Sequence, residues 1–133
     1  MTRNLYMHDF ECFHFFQNVI NSKLSEAQKH LKKLEIYKTH LDLFNTHKLN
    51  EIAYIHEEQN DFITIVYQQC ATWRAQSLSV GQLEKVKDLE EMTRKLESTT
   101  YHVLFIVEYI QKSKERMLNN DNQEVQNDAM TEH

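Results

Sequence analysis

Between Leu89 and Met117 the apolar side chains return in alternating steps of three and four residues: Leu89, Met92, Leu96, Thr99, Val103, Ile106, Ile110 and Met117, with Ser113 the one clear polar interruption. Such a repeat keeps one face of a helix apolar, and holding it for about four heptads predicts a long helix with a packed seam. Leu104 and Val107 widen the arc, so the segment around 100–110, Phe105 included, is expected to touch more than one neighbour. Glu84, Lys85, Lys87, Asp88, Glu90, Glu91, Arg94, Lys95 and Glu97 mix both signs over the opposite, solvated surface.

The start of that helix is written locally. Ser79 is followed three residues later by Gln82, a capping box in which the serine oxygen accepts from the Gln82 amide and the glutamine reaches back to the serine N–H. Leu78 and Leu83 occupy the two positions of a hydrophobic staple around it. Gly81, the only glycine in a chain without proline, then falls in the first turn, where its missing side chain is expected to let a neighbouring helix approach closely.

Upstream, Tyr37, Leu41, Phe44, Ile55, Phe62, Val66 and Trp73 share one side of a helix if it runs unbroken. Asn45, Thr46 and Asn50 have short polar side chains that compete for backbone hydrogen bonds, and a break or bend is expected at 45–47. Leu24, Ala27, Leu31 and Leu34 form an earlier stripe after a start at Asn21 or Ser22, and LYMHDFECFHFFQNVI before it reads as a short aromatic-rich helix. The expected helices are 5–20, 24–44, 47–76 and 80–118. The fold class is all-α, an antiparallel helical bundle or an extended helical hairpin with coiled-coil-like packing. Residues 1–118 make one helical domain, and 119–133, acidic and Asn-rich, are expected to form a disordered tail.

Composition narrows the function. With 133 residues, 41% hydrophobic and 26% charged, the chain is of single-domain, globular type. Its longest apolar run, Val103-Leu104-Phe105-Ile106-Val107, is far below the roughly 20 residues needed to span a bilayer. His8, Asp9, Glu11 and His14 interrupt the first 25 residues, so no export signal is expected, and Cys12 and Cys70 are expected as free thiols in a cytoplasmic setting. Of the net charge of −5, Asp121, Glu124, Asp128 and Glu132 account for four charges in a segment without Lys or Arg. The nearly neutral body lacks the footprint of a nucleic-acid binder. The cluster Lys23, Lys29, Lys32, Lys33 and Lys38 is diluted by Glu26 and Glu35 into a solvated face.

Eight histidines raise the question of metal. On a continuous helix His40, His47, Glu51 and Glu58 would form one stripe, but it would stretch over about 27 Å at ~1.5 Å per residue. Only His47 and Glu51, one turn apart, could then share an ion, and no Glu-x-x-His motif of the carboxylate-bridged bundles is present. A four-helix metal-binding bundle using His40, His47 and Glu51 therefore stands as the alternative reading. The cluster His8, Glu11, Cys12 and His14 matches no closed zinc pattern, and His102 and Glu108 lie on opposite sides of their helix. The cysteines have no activating motif and one glycine cannot build a phosphate loop, so neither an enzyme nor a bound cofactor is expected.

In residues 51–118 a helix ending near TWRAQ is followed by SLSVGQLEKVKDLEEMTRKL and YHVLFIVEYIQKSKERM. That layout resembles the phasins, helical proteins that coat polyester storage granules, although this chain is richer in aromatics and poorer in alanine. The resemblance implies a cytoplasmic, non-enzymatic, self-associating protein that binds apolar surfaces. The leading expectation is a helical interaction protein acting as a homo-oligomer, on a protein partner or on a hydrophobic granule surface. Its expected contact residues are Phe10, Phe13 and Phe16 near the N-terminus and Leu104, Phe105 and Val107 in the wide arc. A small secretion or assembly chaperone is a further form of the same class.

Overall fold

The structure, a computed structural model, describes the backbone of residues 9–43 and 45–131 and the side chains of residues 9–43 and 45–120. Three helices carry it: α1 (Phe13–Thr39), α2 (Thr46–Arg74) and α3 (Val80–Thr131). Short 3-10 turns at Phe10–Cys12 and Leu41–Leu43 precede α1 and α2, and no strand occurs among the described residues. The all-α bundle read from the periodicity is present with three helices instead of four.

Both polar breaks behave as capping chemistry requires. Asn45 is extended and its Oδ1 accepts from the His47 N–H at 2.8 Å, so α2 starts where the break was expected. At the start of α3 the Ser79 N–H donates to Gln82 Oε1 at 2.9 Å, and the Gln82 N–H donates to Ser79 Oγ at 3.1 Å. The break expected near Asn21 and Ser22 is absent, and helices 5–20 and 24–44 are replaced by the single α1. Both side chains point into solvent, where a polar group in a helix interior costs little, and neither glycine nor proline is there to stop the helix. Residues 5–8 and Phe44 lie outside the described residues.

Gly81 corrects a second expectation. A Cβ built on it meets nothing within 4 Å, and its φ is not positive. No helix approaches it, and the turn is made by the Ser79–Gln82 cap. At the other end α3 does not stop at Leu118: its backbone stays helical to Thr131, through a segment with no glycine or proline.

The chain runs up α1, down α2 and up α3, which places the halves of the helices in two apolar clusters. The first joins Phe13, Phe16, Ile20 and Ala27 of α1, Ile63, Val66, Cys70 and Trp73 of α2, and Val86, Leu89 and Leu96 of α3. The second joins Leu34 of α1, Leu49 and Ile52 of α2, and Val103, Ile106, Val107 and Ile110 of α3. α3 lies against both other helices along its length, whereas the α1 and α2 backbones approach each other at few points. Large side chains fill that wider gap. The Trp73 ring has Phe10, Phe13 and Phe16 around it at centroid distances of 5.5, 6.1 and 5.7 Å, and Phe16 stacks on Phe62 at 6.5 Å.

Among the described residues no helix is long and apolar enough to cross a membrane.

Candidate functional site

Two features of the bundle go beyond what folding three helices demands. The first is on the outer surface of α3. Tyr101, Phe105 and Tyr109 follow each other at steps of four, about 40° apart around the helix, and so form one strip. They are 75%, 62% and 46% exposed, which leaves most of Tyr101 and Phe105 and nearly half of Tyr109 in water on one face.

Polar groups edge the strip on both sides. Towards α1, Lys38 Nζ sits 5.5 Å from the Tyr109 ring centroid and His102 Nε2 is 3.9 Å from Glu35 Oε1. Along α3 itself, Lys112 Nζ bonds Glu108 Oε1 at 2.8 Å, and that bond with the lysine charge holds the Glu108 carboxyl below its ordinary range. Towards α2, a groove of about 670 Å3 is lined by Ala53, Tyr54, Leu104, Val107, Glu108 and Gln111 among others. Tyr54 is itself largely exposed, so apolar surface continues from the strip across this groove.

The second feature is inside. Between the two apolar clusters lies a polar layer made by His30 of α1, His56 and Gln59 of α2 and Thr100 of α3. His56 and Gln59 are buried in the row Leu49, Ile52, His56, Gln59, Ile63, Val66, Cys70, Trp73, at the same alternating steps as the apolar residues around them. His30 Nδ1 and His56 Nε2 are hydrogen-bonded at 2.9 Å, and the Thr100 hydroxyl donates to Gln59 Oε1 at 3.0 Å. His56 Nδ1 and Gln59 Nε2 are buried with no hydrogen-bond partner among the described residues. Burial above all, then the neighbouring His30 and Lys23, pushes His56 down to about 4, with Gln59 pulling the other way. Burial also lowers His30; Glu26 and Glu51 oppose the shift, while Lys33 and Lys48 add to it.

The sequence-derived contact residues divide between inside and outside. Phe13, Phe16 and Val107 are buried in the chain's own core, and Phe10 packs against it beside Trp73. The phenylalanines face inward because they cover the Trp73 end of α2, and Val107 because it packs with Leu49 and Ile52 in the second cluster. Leu104 is half-buried at the α2–α3 groove, and Phe105 alone of the six is well exposed. Tyr101, Tyr109 and Tyr54 join it without having been singled out from the sequence. The signal available for Tyr101 and Tyr109 is the four-residue spacing of aromatics on the outer face of α3; Tyr54, on α2, carries no such signal.

The proposed metal stripe is not assembled. His40 caps the C-terminus of α1 with non-helical φ and ψ, its Nδ1 2.9 Å from Thr39 Oγ1 and 3.3 Å from the Ile36 carbonyl. His47 and Glu51 lie beyond the Leu41–Leu43 turn on α2, so the continuous helix that would have aligned all three is interrupted. Among the described residues no three His, Cys, Asp or Glu side chains are grouped to hold an ion. His8 lies outside the described residues, and His102 and Glu108 have separate partners. Cys12 and Cys70 are free thiols, and burial, with Glu90 adding and Arg74 opposing, pushes the Cys70 thiol up to about 12. Cys70 is thereby a packing group at neutral pH.

Comparison with protein-family models, with curated proteins and with solved structures returns no match.

Proposed function

We propose that this chain is a non-catalytic helical interaction protein that binds an apolar surface through the strip Tyr101, Phe105 and Tyr109, with Leu104 and Tyr54 at its edge. The observation that carries the reading is the exposure of three aromatic rings in one row on a helix whose opposite face is fully packed. Exposed apolar rows rimmed by polar groups are a feature of binding surfaces, and Tyr and Phe bury large area at little cost in side-chain entropy. The polar rim formed by Lys38, His102, Glu108 and Lys112 fits the same pattern.

The surface bound takes one of three forms within this class. Self-association places the strip against a second copy and extends coiled-coil contacts along α3; coating a hydrophobic granule, as the phasin resemblance implies, places it against polymer; a chaperone role places it against a partner's helix. Light scattering over a wide concentration range, with parallel binding to oil droplets and to an apolar-sensitive dye, separates them. Concentration-dependent mass growth identifies self-association, droplet binding by a monomer identifies surface coating, and dye binding alone points to a protein partner. A monomer that binds neither droplets nor dye contradicts the proposal.

A further inference from the structure

The polar layer has a consequence that does not depend on what the outer strip binds. Polar residues in a packed helical seam are tolerated when their hydrogen bonds are made, and here they are made only in part. Gln59 Oε1 has Thr100, but its Nε2 makes no well-formed hydrogen bond; His56 uses Nε2 towards His30, and its Nδ1 makes none of good geometry, although Gln59 is near enough to favour the charged ring. Two apolar clusters sit on either side, so the layer is flanked by the best-packed parts of the molecule.

The contact between the rings depends on protonation. Where His30 Nδ1 faces His56 Nε2 at 2.9 Å, one nitrogen must carry the proton and the other the lone pair. A first added proton preserves that N–H···N bond but places a cation in the layer. A second turns both nitrogens into donors and sets two like charges against each other. The surrounding charges do little to compensate. α1 presents Lys23, Glu26 and Lys33 to the rings, and α2 presents Lys48 and Glu51. α3 contributes the Thr100 hydroxyl to Gln59, and no charged side chain of α3 acts on either ring among the described residues.

We propose that the pair formed by half-buried His30 and buried His56, with Gln59 and Thr100 beside it, is an acid-sensitive latch whose protonation parts α1 from α2 at the middle of the bundle. The position suits that role, because α1 and α2 approach each other at few points and this pair bridges them. The direction of the effect is fixed by linkage. His56 is held neutral in the fold, about 4 against 6.5 in an unfolded chain, so its contribution is intact above 6.5 and is lost as pH falls from 6.5 towards 4. His30 is shifted in the same direction and adds to the loss.

The test is thermal melting of the full chain at about pH 7.5 and about pH 5, with His56→Leu and the exposed-site control His47→Gln alongside. For each proton taken up, the ratio of closed to open molecules should fall up to roughly tenfold per pH unit in that window. The expected result is a drop in Tm with acid in the parent and in His47→Gln that is much smaller in His56→Leu. An equal drop in parent and His56→Leu overturns the latch. Should His56→Leu fail to fold, histidine NMR of the parent decides the matter. A His56 ring that stays neutral to about pH 5, with the closed-state signals lost as it protonates, is the outcome expected. A ring that titrates near its ordinary value with the closed-state signals intact overturns the proposal.

Discussion

Ser79 and Gln82 exchange two hydrogen bonds across a single turn, and each satisfies an N–H that the start of α3 would otherwise leave without a partner. Ser79→Ala removes one acceptor and should destabilise the fold by roughly 1 kcal/mol in a chemical melt. Two positions on, the expectation reverses. Gly81 has open space where a Cβ would go and an ordinary helical φ, so Gly81→Ala should stabilise by roughly 0.4–1 kcal/mol through a less disordered unfolded chain. A loss of stability in Gly81→Ala would show that the glycine, and not the capping box, makes the turn. The sequence carried the cap plainly, because a capping box is a four-residue signal that needs no tertiary partner. It carried no information on what lies near Gly81, since that depends on the course of the other helices.

At the scale of the helices, the periodic seam of α3 is legible in the sequence and that of α2 only in part. Leu89, Leu96, Val103, Ile106 and Ile110 are buried as their spacing predicts. In α2, Val66 and Trp73 are buried as their spacing predicts, but the row does not continue back to Tyr37 and Leu41, which lie before a break. Started afresh at Leu49, the steps of three and four lead through His56 and Gln59, two residues that a hydrophobic pattern passes over. Thr93 and Thr100 are their counterparts in α3, both buried, and they differ in what their hydroxyls do. Thr93 Oγ1 donates to the Leu89 carbonyl of its own helix at 2.6 Å, whereas Thr100 Oγ1 donates across the bundle to Gln59. Thr93→Val keeps the shape and leaves no other side chain without a partner, so stability should stay level or rise by up to about 0.8 kcal/mol. Thr100→Val strands a buried amide oxygen and should cost about 1–3 kcal/mol. Equal effects from the two substitutions in a denaturant titration would remove the cross-helix bond from the account of the polar layer.

For the molecule as a whole, α3 is the element that both other helices cover, and its remaining face is where the aromatic strip stands in water. The sequence pointed to aromatic residues as contacts but could not sort them, because Phe13 and Phe16 lie as densely in the chain as Phe105 does. What sorts them is the gap between α1 and α2, which requires large rings around Trp73 and draws the N-terminal aromatics inward. His40 and His47 are kept apart for a similar reason: they share a face only if the helix is continuous, and Asn45 ends that continuity.

The most direct test of this division is a paired measurement of melting temperature and association, by droplet binding and light scattering, on Phe16→Ala and Phe105→Ala. Phe16→Ala should lose roughly 3–5 kcal/mol of stability, as removal of a buried ring does. Phe105→Ala should melt within about 0.5 kcal/mol of the parent while weakening association by about tenfold or more. If Phe105→Ala instead lowers stability and leaves association unchanged, the strip is part of the fold and the surface on which this protein acts lies elsewhere.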